Sequence, residues 1–257
     1  MMLKEVDVIL FMGQSNMAGR GKTCERWPQT APAAIPGAGY EYRAVSAPGR
    51  LFPVEEPFGA AENRELGIDD KDLKSGSMVT SFINAYYTMT GVPVVGVSAS
   101  KGGSSILQWQ PGGAFLEDTL ERWRSAVSWL REQGIHIRRQ YMAWCQGETD
   151  GDHGMNGGTY RQLFENMLSV MIQGGIEKCF LISIGCYNGD GDADYVELRQ
   201  EQVLIAKEDP RVELVSDEWK TMKSRGLMRD PFHYYQAAYN EVGLLAGTRA
   251  GRYATVS

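Results

Sequence analysis

Histidine is scarce in this chain: His136, His153 and His233 are the only three in 257 residues. Chemistry that needs an imidazole therefore has few sites to draw on. Cysteine is nearly as rare. Cys24, Cys145, Cys179 and Cys186 form no CxxC, and no Cys/His pair has zinc-ligand spacing. Free thiols in a reducing compartment are the expectation, with Cys145 and Cys179 inside apolar runs. No apolar stretch approaches the roughly 20 residues that span a bilayer. The start, MMLKEVDVILFMGQSNMAG, carries Glu5 and Asp7 inside its short apolar run. It reads as a first strand rather than a signal peptide, so the expected location is cytoplasmic. Basic excess is absent too: 26 Lys+Arg stand against 32 Asp+Glu, a net charge of −6. That balance argues against nucleic acid or an anionic membrane as the main partner.

What is present is ordinary globular composition, 43% hydrophobic and 23% charged. Near-continuous apolar runs at 6–12, 92–97, 140–145, 179–184 and 212–215 read as buried strands. Helix-period segments at 78–90, 115–133, 160–173, 195–208 and 236–249 alternate with them. The pattern predicts one α/β domain over 1–257, a three-layer α/β/α sandwich around a five-stranded, mostly parallel sheet. Segment 24–77 stands apart. It holds six of the ten prolines and little periodicity, so it reads as a long irregular insertion.

Ligands bind outside the carboxyl ends of parallel strands. The residues following the strands are therefore the candidates: Gly13–Met17, Ser98–Ser104, Gln146–Asp150 and Asp230–His233. Ser15 directly follows the first strand and is the candidate nucleophile; as a lone serine it could equally cap a turn. His136 leads into a strand and falls at the wrong end of the sheet. His153 sits in a glycine-rich loop within reach of the site. His233 has Asp230 three residues before it, close enough to orient the ring, and is the expected base. The alternative is that Asp230 caps the last helix while His233 packs among Phe232, Tyr234 and Tyr235. Gly102-Gly103 can bring an amide to an oxyanion, or simply turn the chain. Gln146 offers a side-chain amide. Glu148 and Asp150 are supporting or solvated carboxylates.

The ordered set Gly13-Gln14-Ser15-Asn16-Met17-Ala18-Gly19, Gly102-Gly103-Ser104 with Trp109, Gln146-Gly147-Glu148-Thr149-Asp150 and Asp230-Pro231-Phe232-His233-Tyr234 resembles the SGNH hydrolase superfamily. More narrowly it resembles the sialate O-acetylesterase and acetylxylan esterase-like branch of carbohydrate esterases. The resemblance runs from Val6 to about Gly247. It implies Ser15 as nucleophile and Asp230 and His233 as its D-x-x-H pair. It implies Ser15, Gly103 (Gly102 if the register differs by one) and Gln146 as oxyanion donors. Gln146 stands where the wider superfamily keeps asparagine. Gln14, Asn16, Gly102, Trp109 and Glu148 are then expected to meet substrate, with Trp27 and the tyrosines of 24–77 as stacking candidates. The implied fold is the same α/β/α sandwich. The implied activity is removal of acetyl groups from O-acetylated mono- or oligosaccharides, of xylan or sialic-acid type, with no cofactor or metal.

Two other enzyme-like readings fit less well. Gly19-Arg20-Gly21-Lys22-Thr23 ends like a P-loop, but Asn16 stands where its first glycine belongs and prolines follow. An α/β-hydrolase elbow needs glycine where Met17 stands. From a different class, a non-catalytic carbohydrate-binding protein on the same fold remains an alternative.

Overall fold

The structure, a computed structural model, describes residues 3–190 and 195–256. In chain order the elements are β1 (Glu5–Gly13), α1 (Ser15–Ala18), β2 (Gly39–Tyr42), β3 (Leu51–Pro53), α2 (Val79–Thr90) and β4 (Val94–Ser100). A 3-10 turn (Ile106–Trp109), α3 (Ala114–Glu132), β5 (His136–Cys145), α4 (Glu148–Asp152) and α5 (Gly157–Gln173) follow. The chain closes with β6 (Lys178–Ile182), α6 (Val196–Glu208), β7 (Val212–Ser216), α7 (Trp219–Met222) and α8 (Gln236–Val256).

The strands form one seven-stranded sheet in the order β3-β2-β4-β1-β5-β6-β7. Every pairing is parallel except β2 with β3. The five expected strands are present as β1 and β4–β7. The count of five is corrected to seven by β2 and β3, which arise inside the 24–77 segment, so that segment is not wholly irregular. They have four and three residues, and Pro53 sits on the outermost strand. Such short edge strands carry too few residues to show an alternating pattern.

β1 lies at the centre, and its side chains alternate between the two faces. Val8, Leu10 and Met12 join a cluster with Leu120 and Trp123 of α3, Phe164 of α5 and Leu198 of α6. Ile9 and Phe11 join the opposite cluster with Phe82 of α2 and Val242, Ala246 and Ala250 of α8. α2 and α8 approach closely because Gly243 and Gly247 face α2. A Cβ on Gly243 would lie 2.4 Å from the Met78 carbonyl, and one on Gly247 2.2 Å from that of Phe82. The one acidic side chain buried in β1, Asp7, is paired by Tyr86 Oη (2.6 Å) and by two nitrogens of Arg138, as a buried charge requires.

All four cysteines are free, with Cys145 and Cys179 buried. Among the described residues no helix is long and apolar enough to cross a membrane. No helix starts directly after Thr23, so the P-loop reading lacks the dipole it needs.

Candidate active site

Three strand ends and one late loop meet at the carboxyl edge of the sheet. Gly13, the last residue of β1, has φ +140° and a Cβ there would sit 2.1 Å from the Cys145 carbonyl oxygen. Only glycine lets the strand end so close to β5, and the chain then turns directly into α1, whose first residue is Ser15. His233 lies 218 residues later, yet its Nε2 is 3.0 Å from Ser15 Oγ. Its Nδ1 is 3.0 Å from both carboxylate oxygens of Asp230. A carboxylate only accepts, so Nδ1 carries the proton and neutral Nε2 is left to accept from the Ser15 hydroxyl.

Asp230 also accepts from the amides of Phe232 (2.9 Å) and His233 (2.8 Å). It therefore closes its own turn rather than capping α8, which begins six residues later. Burial raises its pKa, but those two amides and the imidazole outweigh that, leaving the carboxyl below its ordinary value. For His233, burial outweighs the neighbouring carboxylate and lowers the ring pKa below its ordinary value. Both shifts keep a neutral base beside an ionised carboxylate at neutral pH.

The cavity beside this row has a volume of about 280 Å³ and is lined by Gln14, Ser15, Arg20, Leu73, Gly102, Gly103, Glu148, Thr149, Asp152, Phe232 and His233. Two backbone amides are free to serve an oxyanion there. Ser15 is the first residue of its helix, so its N–H has no intrahelical acceptor. Gly103 sits in a turn at φ +68° and its amide makes no hydrogen bond among the described residues. The neighbouring amide of Gly102 is already engaged, donating to Asp70 Oδ1 at 3.1 Å. Of the two register choices, the one with a free amide is Gly103.

Gln146 is not placed as expected. Its side chain is fully buried, and Nε2 donates to Ser104 O (3.0 Å), to Gln14 Oε1 (3.2 Å) and to Asp150. A carboxamide so committed has no proton left for an oxyanion. Gln14 faces the opposite way. Its Oε1 accepts from the amides of Gly147 (3.1 Å) and Thr149 (3.4 Å) as well as from Gln146. Backbone N–H groups cannot accept, so this end must be oxygen; Gln14 lines the cavity, and its Nε2 makes no hydrogen bond among the described residues.

Asn16 lies beneath the cavity rather than on its wall, 0% exposed. Its Nδ2 donates to Glu148 Oε1 (2.6 Å) and the Phe232 carbonyl (3.2 Å), and its Oδ1 accepts from Tyr239 Oη (2.7 Å). It braces α4, α8 and the histidine loop against α1. Glu148 reaches the cavity wall while its Oε2 has no partner among the described residues. Burial pushes its pKa up to about 7, against the lowering effect of Asn16.

Trp109 is also a correction. It is 0% exposed, donates from Nε1 to Ser104 Oγ (3.0 Å), and meets Trp144 edge-on with ring centroids 5.5 Å apart. It belongs to the core under the Gly103 turn, not to a sugar platform. Of the aromatic residues of the 24–77 segment, Tyr42 and Phe58 are buried while Trp27, Tyr40 and Phe52 are half-buried, and none of them lines this cavity. Trp27 packs beside α8 and donates to the Gly226 carbonyl (3.0 Å), while Tyr40 and Tyr42 lie in β2. His153 is exposed at the end of α4, and His136 pairs with Glu5 at the far end of the sheet. The wall residues absent from the expectations are Arg20, Leu73, Thr149, Asp152 and Phe232. Thr149 and Phe232 lie inside the quoted motifs, a usable signal; Arg20 and Leu73 carry none.

A hydroxyl, an imidazole and a carboxylate in one hydrogen-bonded row, beside unpaired amides, is an arrangement capable of acyl transfer. The carbohydrate esterase, sialic acid-specific acetylesterase family matches residues 5–249. The chain belongs to that family and is a carboxylic ester hydrolase. Among solved structures it is similar to a protein from Arabidopsis thaliana at 21% identity and TM-score 0.71, covering 96% of this chain and 98% of that one. A carbohydrate acetylesterase from Xanthomonas citri is similar at 20% identity and TM-score 0.60, covering 98% of this chain and 57% of that one. NanS is similar at 10% identity and TM-score 0.65, covering 98% and 97%. At these identities the likeness is one of fold. No curated protein matches.

Proposed function

We propose that the chain removes acetyl groups from O-acetylated carbohydrates through an acyl-enzyme on Ser15. The observation that carries this reading is the 3.0 Å contact between Ser15 Oγ and His233 Nε2, made by residues 218 positions apart. His233 takes the Ser15 proton as Oγ attacks the ester carbonyl. Asp230 holds the ring tautomer and stabilises the imidazolium. The amides of Ser15 and Gly103 and the Gln14 side-chain amide receive the oxyanion; one such donor is typically worth about 3 kcal/mol of barrier. His233 then returns the proton to the departing sugar hydroxyl. Water repeats the cycle and releases acetate.

The cavity of about 280 Å³ suits a small acyl group, since ligand pockets generally run from about 300 to 1,000 Å³. Its wall mixes apolar Leu73 and Phe232 with polar Gln14, Thr149, Asp152 and Arg20, as a sugar's mixed faces require. Xylan-type and sialic-acid-type acetyl esters make the same demands on this chemistry. The test is acetate release from a panel of acetylated oligosaccharides and sialates, alongside p-nitrophenyl acetate, by wild type and Ser15→Ala. Turnover lost in Ser15→Ala supports the reading. Equal inertness of both proteins, with retained sugar binding, would replace it with a carbohydrate-binding role.

A further inference from the structure

The 24–77 segment contributes one fully buried carboxylate to the site's surroundings, Asp70, at 1% exposure. Its Oδ2 accepts from Arg20 Nη2 at 2.6 Å, and its Oδ1 accepts from the Gly102 amide at 3.1 Å. Lys101 Nζ lies 3.9 Å from the same Oδ1. Arg20 is itself held by the Gly19 carbonyl at 2.9 Å. One carboxylate thus joins the chain just after α1 to the turn after β4. The fit is close on the Gly102 side as well. A Cβ there would lie 2.4 Å from Arg20 Nη2 and 3.0 Å from Asp70 Oδ1, which explains why this position is glycine although its φ is not left-handed. Asp70 is held in turn through its own amide, which donates to Asn63 Oδ1 at 3.0 Å.

The consequence falls on the next residue. With the Gly102 N–H drawn to Asp70, the following peptide carries the Gly103 N–H, which makes no hydrogen bond among the described residues and lies beside the cavity. We propose that Asp70 is the positioning residue of the oxyanion turn, holding Gly102 through its amide so that the Gly103 N–H faces the carbonyl carbon's oxygen during attack by Ser15. This rests on the acyl-transfer reading above. It gives the 24–77 segment a part in catalysis in addition to shaping the surface. A charge-assisted acceptor suits the task because such bonds are shorter and stronger than neutral ones and hold a turn in one geometry. Preorganisation of this kind acts on the transition state and leaves ground-state binding of the ester nearly unchanged.

The test compares wild type, Asp70→Ala, Asp70→Asn, Gly102→Ala and Ser15→Ala on p-nitrophenyl acetate. The affinity of a trifluoromethyl ketone, whose hemiketal on Ser15 carries the same oxyanion, is measured in parallel. Asp70→Ala is expected to lower kcat by about 10- to 100-fold with KM within about threefold, and to weaken the ketone by the same factor. Asp70→Asn keeps an oxygen for the Gly102 amide and is expected to recover most of the loss. Gly102→Ala presses on Arg20 Nη2 and on Asp70 Oδ1, disturbing the Asp70 anchor without removing the carboxylate, and is expected to resemble Asp70→Ala; it decides the matter if Asp70→Ala does not fold. A folded Asp70→Ala or Gly102→Ala protein with kcat within twofold of wild type, or a loss confined to KM, overturns the proposal. If Ser15→Ala is inert and wild type active in that same experiment, only this inference falls. If wild type itself is inert on every acetyl ester, the acyl-transfer reading falls and this one with it.

Discussion

Glu148→Gln isolates the energetics of a carboxyl group that the fold holds against its ordinary ionisation. Glu148 is buried, its Oε1 accepts from Asn16 at 2.6 Å, and its Oε2 has no partner among the described residues. Burial pushes its pKa up to about 7 from an ordinary 4.5, with Asp152 and Asp150 adding to the rise. A folded-state pKa above the unfolded one means the folded protein binds the proton more tightly. The stability this confers is complete below about pH 4.5 and is lost as pH rises through about 7. At about 1.36 kcal/mol per pKa unit, the contribution falls by about 2.5 kcal/mol between pH 5 and pH 8. Glutamine keeps an oxygen for Asn16 and removes the titration. Urea unfolding of wild type and Glu148→Gln at pH 5 and pH 8 gives four free energies, whose double difference isolates this group. The expected result is a wild-type protein that loses about 2.5 kcal/mol more than the variant on going from pH 5 to pH 8. A double difference below about 0.5 kcal/mol, or one of opposite sign, would refute the assigned direction and its cause.

The remaining expectations concern the reacting groups and their supports. Because burial lowers the His233 pKa, the acid limb of kcat/KM is expected below the ordinary imidazole value of about 6.5; a limb above it contradicts the assignment. Gln14→Ala is expected to cost about 10²- to 10³-fold in kcat if its Nε2 meets the oxyanion, and steady-state kinetics showing a change in KM alone would count against that role. Trp109→Ala is expected to destabilise the fold by about 3 to 5 kcal/mol, as for other buried aromatic truncations. Denaturation that shows no loss, or a selective loss of sugar binding, would restore the stacking role that its burial denies.

The central sheet was legible because β1, β4, β6 and the second half of β5 are buried on both faces and so appear as continuous apolar runs, such as Val6–Met12, while β7 keeps a short apolar run with half-buried positions. β2 and β3 were not, because three or four residues beside prolines carry no periodic signal. The residues Ser15, Asp230 and His233 could be singled out because each follows a strand or belongs to a short motif. The direction of a carboxamide has no such signature. Gln14 and Gln146 differ only in which groups surround them, and the Gly147 and Thr149 amides that orient Gln14 lie more than 130 residues away in sequence. Trp109 illustrates the same limit. A tryptophan near a glycine turn can stack on a sugar or fill the core beneath it, and the Ser104 hydroxyl that satisfies its indole N–H tips it inward. Asp70 carried no motif at all. Its role emerges only when the segment after α1 folds back to the turn after β4.

The most direct test of the account is covalent labelling with a fluorophosphonate followed by peptide mass mapping. One adduct on Ser15, formed far more slowly in His233→Ala and absent in Ser15→Ala, is the predicted result. Labelling at another residue, or labelling of Ser15 at an unchanged rate when His233 is removed, would contradict the claim that these two side chains act together.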